Sequence, residues 1–338
     1  MKHIGRTHFA YLLAICLAAG ACKGTAKDKG EDEDILHKAP FLSLTDSINQ
    51  SAPAGQPSLY FRRAERLAHN NFHELAALDY RRSWDENPEE ATGLRYAATL
   101  TIIGQTAKAE KLLLDCRRRY PANPSFSNML GDLYQQSGKT KEAIQVYDDQ
   151  LRSDSTNFEA WYEKGLLLER AKDTTGALLA LQKAYTIQPI TTYALELAHL
   201  YAESSNPEAL TLADEVLRKD LNHELLDPLF IKGIYYSNTG LYKKAIENFD
   251  SCIARDWKFT DAYLEKGIVL YHQKKYEEAQ TIFQLSVKVS NTYPDGYFWI
   301  GRCYEATGHK EEARIFYQRA LALDKDFKEA AEGIKRLK

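Results

Sequence analysis

The chain has 338 residues, 44% hydrophobic and 27% charged, a balance that fits a folded protein and excludes wholesale disorder. Its 18 Gly and 10 Pro exclude collagen-like or proline-rich architecture, whereas 21 Tyr is an unusually high count. A formal net charge of −3 leaves no basic excess to neutralise phosphates, which argues against nucleic acid as a partner.

Residues 1–21 read as a signal peptide. Lys2 and Arg6 supply a positive start, Phe9 to Ala19 a short apolar core, and Ala19, Gly20 and Ala21 a small-residue site before Cys22. The apolar run is far shorter than the roughly 20 residues a membrane-spanning helix needs. Residues 22–56 read as a flexible acidic linker. Its carboxylates Asp28, Glu31, Asp32, Glu33 and Asp34 repel one another, and a breaker-rich stretch runs from Ser51 to Pro57. Between these segments, Phe41, Leu42 and Leu44 are spaced to pack on the first helix pair that follows.

From residue 57 the sequence repeats itself at about 34 residues. One small residue recurs at Ala64, Ala97, Gly131, Gly165, Ala198, Gly233, Gly267 and Gly301, and a second at Ala76, Ala109, Ala143, Ala177, Ala209, Ala245, Ala279 and Ala313. Four residues after the second series come Tyr80, Leu113, Tyr147, Leu181, Ala213, Phe249, Phe283 and Tyr317. The spacing predicts eight helix pairs, at 57–89, 90–123, 124–157, 158–190, 191–225, 226–259, 260–293 and 294–327. A capping helix follows at 328–338, carrying Ala330, Ile334 and Leu337 on one side and a charged outer face. Two helices approach closely where neither carries a bulky side chain, and large residues fill the gap to the next pair. Gly104, Gly138, Gly240 and Gly308 fall between the helices, where a left-handed cap is needed. A single pair buries too little surface to stand alone, so the units stack. The fifth unit is irregular, with a shortened turn before Pro207, Ala213 in the aromatic slot and an untidy exit from Asp220 to Asp227; a change of curvature is expected there.

Chemistry-bearing motifs are incomplete. His73-Glu74 and His223-Glu224 each lack the second His of a helical zinc site, because Ala77 and Asp227 stand in its place. Ser137-Gly138-Lys139-Thr140 lacks the upstream Gly of a phosphate loop, which is Leu133 here. Cys116, Cys252 and Cys303 read as small buried apolar residues, and three is the wrong number for a disulfide framework. Glu65, Asp132, Glu169, His199, His272 and Glu305 could be imagined as a catalytic set, but they scatter over seven units. No catalytic residue, metal ligand or cofactor is therefore assigned, and no enzyme is expected.

The repeat resembles the tetratricopeptide repeat, W-x2-L-G-x2-Y…A-x3-F…P. The cleanest copies are Trp161, Gly165, Ala177, Ala184, Pro189 and Tyr297, Gly301, Tyr304, Ala313, Tyr317, Ala320. The resemblance implies an all-α fold, an α-solenoid wound as a right-handed superhelix, with ligands held along its inner helices. Three rows would then face the groove. Phe61, Leu94, Asn128, Tyr162, Leu195, Phe230, Leu264 and Phe298 form the first. Leu166, His199, Ile234, Ile268 and Arg302 belong to the second, and Tyr271 to the third. None of the units shows the Lys/Asn/Lys/Arg clamp by which chaperone-binding members hold a carboxylate terminus. The strip from Tyr162 to Phe298 suits an amphipathic helix or an extended segment, and ordinary packing within the repeat is the competing reading for part of it.

Leu17 to Cys22 resembles the lipobox of bacterial lipoproteins, which implies cleavage before Cys22 and a diacylglyceryl thioether on its sulfur. Ala19 stands where that family usually has Leu, and Ala19-Gly20-Ala21 also fits ordinary signal cleavage, so a soluble secreted or periplasmic protein is the alternative. The acidic cluster resembles the surface-export signal of Bacteroidota-type lipoproteins but starts later after Cys22; a solvated spacer is the other reading. The expectation is an exported outer-membrane lipoprotein, facing the periplasm or the cell surface. It would touch the membrane through its lipid and hold a protein partner on its concave face. The alternatives are a self-assembling component of a secretion or pilus machine, or a non-catalytic subunit of an envelope enzyme.

Overall fold

The computed structural model describes residues 35–337. The signal peptide, Cys22 and the acidic cluster ending at Asp34 lie outside the described residues. The fold is all-α, of the α-solenoid class, with no strand among the described residues. The chain forms two compact units that meet in sequence between Asp173 and Thr174.

The N-terminal unit holds α1 (Leu42–Gln50), α2 (Gln56–His69), α3 (His73–Glu86), α4 (Glu90–Ile102), α5 (Thr106–Arg119), α6 (Ser125–Gln136), α7 (Thr140–Ser153) and α8 (Phe158–Arg170). The C-terminal unit holds α9 (Thr174–Ile187), α10 (Thr191–Glu203), α11 (Glu208–Lys219), α12 (Asp227–Asn238) and α13 (Tyr242–Arg255). It continues with α14 (Thr260–His272), α15 (Tyr276–Val289), α16 (Pro294–Ala306), α17 (Lys310–Leu323) and α18 (Lys328–Arg336).

Within each unit a helix packs on the next in sequence, and the first helices of successive pairs also touch one another (α4 on α6, α12 on α14, α14 on α16). Within each unit the first helices that touch therefore form an inner layer, with the second helices outside it. The small-residue slots explain the close approach. A methyl added at Gly267 would lie 2.4 Å from the Phe283 ring, and one at Gly233 2.4 Å from Phe249. The aromatic slot of the second helix thus lies flat on the bare backbone of the first, and these rings are fully buried. The eight turns between paired helices each place one residue in the left-handed region. Gly104, Gly138, Gly240 and Gly308 fill four of them, and Asn71, Lys172, Ser205 and Lys274 the others.

One expectation is corrected. Residues 42–50, assigned above to the flexible linker, form α1, and its Phe41 neighbour, Leu44 and Ile48 are buried at 2%, 5% and 4% exposure. The carboxylate repulsion that extends a linker ends at Asp34, and the apolar spacing beyond it is that of a helix with one buried face. Phe41 meets the Phe72 ring edge-on at 5.8 Å between centroids. In the irregular fifth pair, α11 is two residues shorter than most second helices, and α10 packs directly and extensively on α12. The exit from α11 is held by Asp220, whose carboxylate accepts the backbone N–H groups of Glu224 and Leu225.

Candidate functional site

The inner layer positions every residue expected in the groove, but not all of them reach its surface. In the N-terminal unit, Phe61 (α2), Leu94 (α4), Asn128 (α6), Tyr162 and Leu166 (α8) are half-buried. In the C-terminal unit, Leu195 is half-buried, whereas His199 on the same helix is 8% exposed. Burial lowers the His199 imidazole to about 4, so it is neutral at ordinary pH. Phe230 presents no surface to a partner. It is 0% exposed, packed against Phe249 and Phe259 at centroid distances of 5.7 and 5.2 Å. Leu264 is likewise core, at 6%.

Five of the expected residues, Ile234, Ile268, Tyr271, Phe298 and Arg302, converge on one cavity of about 310 Å³ in the C-terminal unit. It opens between α12, α14, α16 and α18, with Glu203 at the end of α10 on its rim. Aromatic residues form one wall. Tyr271 meets Trp299 edge-on at 5.3 Å, and Trp299 stacks on Phe283 at 5.7 Å. The Arg302 guanidinium lies 5.5 Å from the Tyr271 ring centre and 5.8 Å from that of Trp299, and its Nη2 donates to the Tyr271 hydroxyl at 3.3 Å.

The capping helix α18 closes the far side. Arg336 donates from Nε and Nη2 to the two carboxylate oxygens of Glu305, each at 3.0 Å, and the Tyr317 hydroxyl donates to the same carboxylate. Burial alone would push the Glu305 carboxyl up, but the Arg336 and Tyr317 hydrogen bonds outweigh it and hold the group below the usual carboxylate range. Arg302 Nε lies 3.8 Å from Glu305 as well, so one carboxylate occupies both arginines.

Glu265, on α14, is the residue the sequence reading missed. It lines the cavity, is 6% exposed, and accepts no hydrogen bond from any described residue. Burial, then the nearby carboxylates of Glu203, Asp261 and Asp295, push it up to about 8. Its position, two residues before the small-residue slot, carries Ile231 and Trp299 in the flanking repeats. That row lies outside the three expected to face the groove, which is why Glu265 and Trp299 went unnoticed. The charged face of the capping helix was expected to point outward, yet its Glu329, Glu332 and Arg336 line the cavity.

A wider depression of about 1280 Å³ lies in the N-terminal unit beside α5 and α7. Its charges are largely matched: Arg117 Nε donates to Ser127 at 2.9 Å, and its Nη2 lies 3.6 Å from Asp149. The six residues imagined as a catalytic set are engaged elsewhere or spread across both units; Glu65, for instance, accepts the Tyr80 hydroxyl. Among the described residues no group of three or more His, Cys, Asp or Glu side chains could hold a metal ion, and no helix is long and apolar enough to cross a membrane.

Comparison with known proteins agrees with this architecture. Family models described as tetratricopeptide repeat match residues 103–157, 128–189 and 259–326. The chain is 26% identical over 234 residues to the tetratricopeptide repeat-containing protein YpiA of Bacillus subtilis, spanning 66% of this chain and 54% of that protein. The chain thus corresponds to about half the length of this curated relative. A tetratricopeptide repeat protein of Parabacteroides merdae superposes with a TM-score of 0.64 at 19% identity, covering 72% of this chain and 97% of that one. PilW, a type IV pilus biogenesis factor, gives 0.51 at 17% identity over 62% and 96%. These likenesses speak for the fold. The 34-residue period, the paired small slots and the family matches together identify the helix pairs within residues 103–189 and 259–326 as tetratricopeptide repeats.

Proposed function

We propose that this chain is a non-catalytic scaffold of a bacterial envelope, tethered through lipid on Cys22 and holding a segment of a partner protein against its inner helices. Tetratricopeptide repeats mediate protein–protein interaction in general. The observation that carries the reading to this molecule is the aromatic and charged cavity on the inner layer of the C-terminal unit, where Tyr271, Phe298 and Trp299 surround space that the chain itself does not fill. Such a cavity, with an apolar wall and a few placed charges, is what an anchoring side chain of a peptide requires. The lipobox-like Leu17 to Cys22 and the acidic stretch after it support the tether, with the acidic residues acting as a spacer from the bilayer.

The test is a photo-reactive phenylalanine analogue placed in cells at Tyr271, and separately at Ile315, an exposed position on the second helix α17. A discrete adduct to a protein at Tyr271, and none at Ile315, is the expected result. No adduct at Tyr271 would remove the inner layer as the binding face. The tether is tested by fatty-acid labelling of the chain and of Cys22→Ala. Unchanged label and membrane fractionation in the variant would end that part of the reading.

A further inference from the structure

The charge lining the C-terminal cavity exceeds what the packing of this chain uses. Arg302 and Arg336 both turn to Glu305, which is not itself on the cavity wall. Three carboxylates on the walls, Glu265, Glu329 and Glu332, have no ion pair or hydrogen bond with a described residue. Glu265 is the informative one, because burying a carboxyl with no donor is unfavourable and the fold has no need of it. The same register position is filled by Ile231 one repeat earlier and Trp299 one repeat later. Glu163 and Glu196 hold this position in the fourth and fifth units but are only half-buried, so full burial without a donor is what sets Glu265 apart.

We propose that this cavity is a socket for the cationic side chain of a lysine or arginine on a partner peptide. Glu265 is its buried counter-charge, and Tyr271, Phe298 and Trp299 are the wall for its methylenes. This deepens the reading of the inner layer as a peptide-binding face and rests on it. Charge complementarity selects the occupant: an acidic segment would meet an excess of carboxylates, and a wholly apolar one would leave Glu265 stranded. The aromatic wall already accepts one guanidinium, that of Arg302. The volume of about 310 Å³ admits one long side chain, not a helix.

Proton linkage gives the socket a signature. The groups that face Glu265 are Glu203 from α10, Asp261 on its own helix and Asp295 from α16, all acidic. Arg302, Arg336, His272, Glu329 and Glu332 complete the charged walls, and Tyr293 hydrogen-bonds to Asp261 at 2.7 Å. With its carboxyl pushed up to about 8, Glu265 is mostly protonated at pH 7 in the empty cavity. An arriving cation favours the ionised form, so binding releases about one proton.

The experiment uses the full mature chain and four labelled nonapeptides of alternating leucine and glycine, with lysine, arginine, norleucine or glutamate at the centre. Fluorescence anisotropy is expected to show the lysine and arginine peptides binding at least tenfold more tightly than norleucine, with glutamate weakest. Glu265→Gln erases that preference while leaving the fold intact, and Glu265→Met, apolar and of similar size, does the same. Calorimetry at pH 7 in buffers of different ionisation enthalpy reads about one proton released by the natural chain and none by either variant. Equal binding of all four peptides, binding of none, or a cation preference that survives both variants overturns the socket. An adduct at Tyr271 combined with such a result would leave the inner layer as a binding face and remove only its cation selectivity. A cation preference without any adduct in cells would do the reverse.

Discussion

Arg63 grips Asp79 in a buried two-pronged ion pair, with Nε 2.6 Å from Oδ2 and Nη2 2.8 Å from Oδ1. The third nitrogen, Nη1, donates to Thr45 Oγ1 at 3.0 Å, and that hydroxyl donates to the Leu36 carbonyl at 2.7 Å. The pair therefore joins α2 and α3 and, through Thr45, fastens α1 to the first repeat. Removing one partner leaves a buried charge uncompensated, which typically costs about 3–5 kcal/mol. Asp79→Ala is expected to lower the unfolding free energy measured by urea titration by that amount, and Thr45→Val by about 1–3 kcal/mol. Hydrogen exchange should show α1 losing protection in both. Full protection of α1 in Asp79→Ala would show that the ion pair does not hold it.

Two kinds of glycine respond differently to one methyl group. In Gly267→Ala the new carbon would sit 2.4 Å from the Phe283 ring, so the α14–α15 contact must open, at about 1–3 kcal/mol. Gly104→Ala meets nothing within 4 Å, and its cost is backbone strain at φ +70°, about 1–2 kcal/mol. Shrinking the ring separates the mechanisms. Phe283→Leu is expected to recover part of the loss in Gly267→Ala, and equilibrium unfolding of single and double variants measures it. A strictly additive pair would show that the methyl does not clash with that ring.

The helix pairs were legible in the sequence because the pattern reports a steric fact repeated eight times. Wherever one helix carries Ala or Gly, its partner can lie close, and a ring such as Phe249 covers the gap at Gly233. The left-handed turns were half legible. Gly104 announces one, while Lys172 and Lys274 adopt the same backbone at the same register with no compositional signal. The groove was legible only as rows of positions. Which members reach the cavity depends on neighbours far along the chain: Phe230 is sealed by Phe249 and Phe259, whereas Phe298 stays at the cavity edge. Glu265 was hidden because its row lies outside the three expected to face the groove, and the role of α18 because a charged helix face reads as solvated until its partners are known.

The cysteines provide a chemical check on the core. Cys116, Cys252 and Cys303 are free and fully buried, and burial pushes each thiol up to about 12. At pH 8 almost none is thiolate, and no path reaches the sulfur. Iodoacetamide labelling read by mass spectrometry at these three positions is expected to be negligible in the folded protein and complete in urea. Rapid alkylation of Cys303 under native conditions would mean that the α16–α17 pair opens readily.

The buried Glu265 carboxyl sets a pH dependence whose sign is fixed by where it binds its proton. Its folded value of about 8 exceeds the unfolded value of 4.5, so between the two the folded chain holds the extra proton. Stability is therefore greatest below the unfolded value and falls as pH rises, by about 1.4 kcal/mol per unit at most, until the group ionises in the folded state near pH 8. Glu265→Gln removes this slope without changing the shape of the side chain. Relative to the natural protein its melting temperature should differ little at pH 4, lie progressively higher from pH 5 to 8, and keep a constant lead beyond pH 9. A lead that is the same at every pH would mean that Glu265 is already ionised in the folded chain at neutral pH, held by solvent entering the cavity.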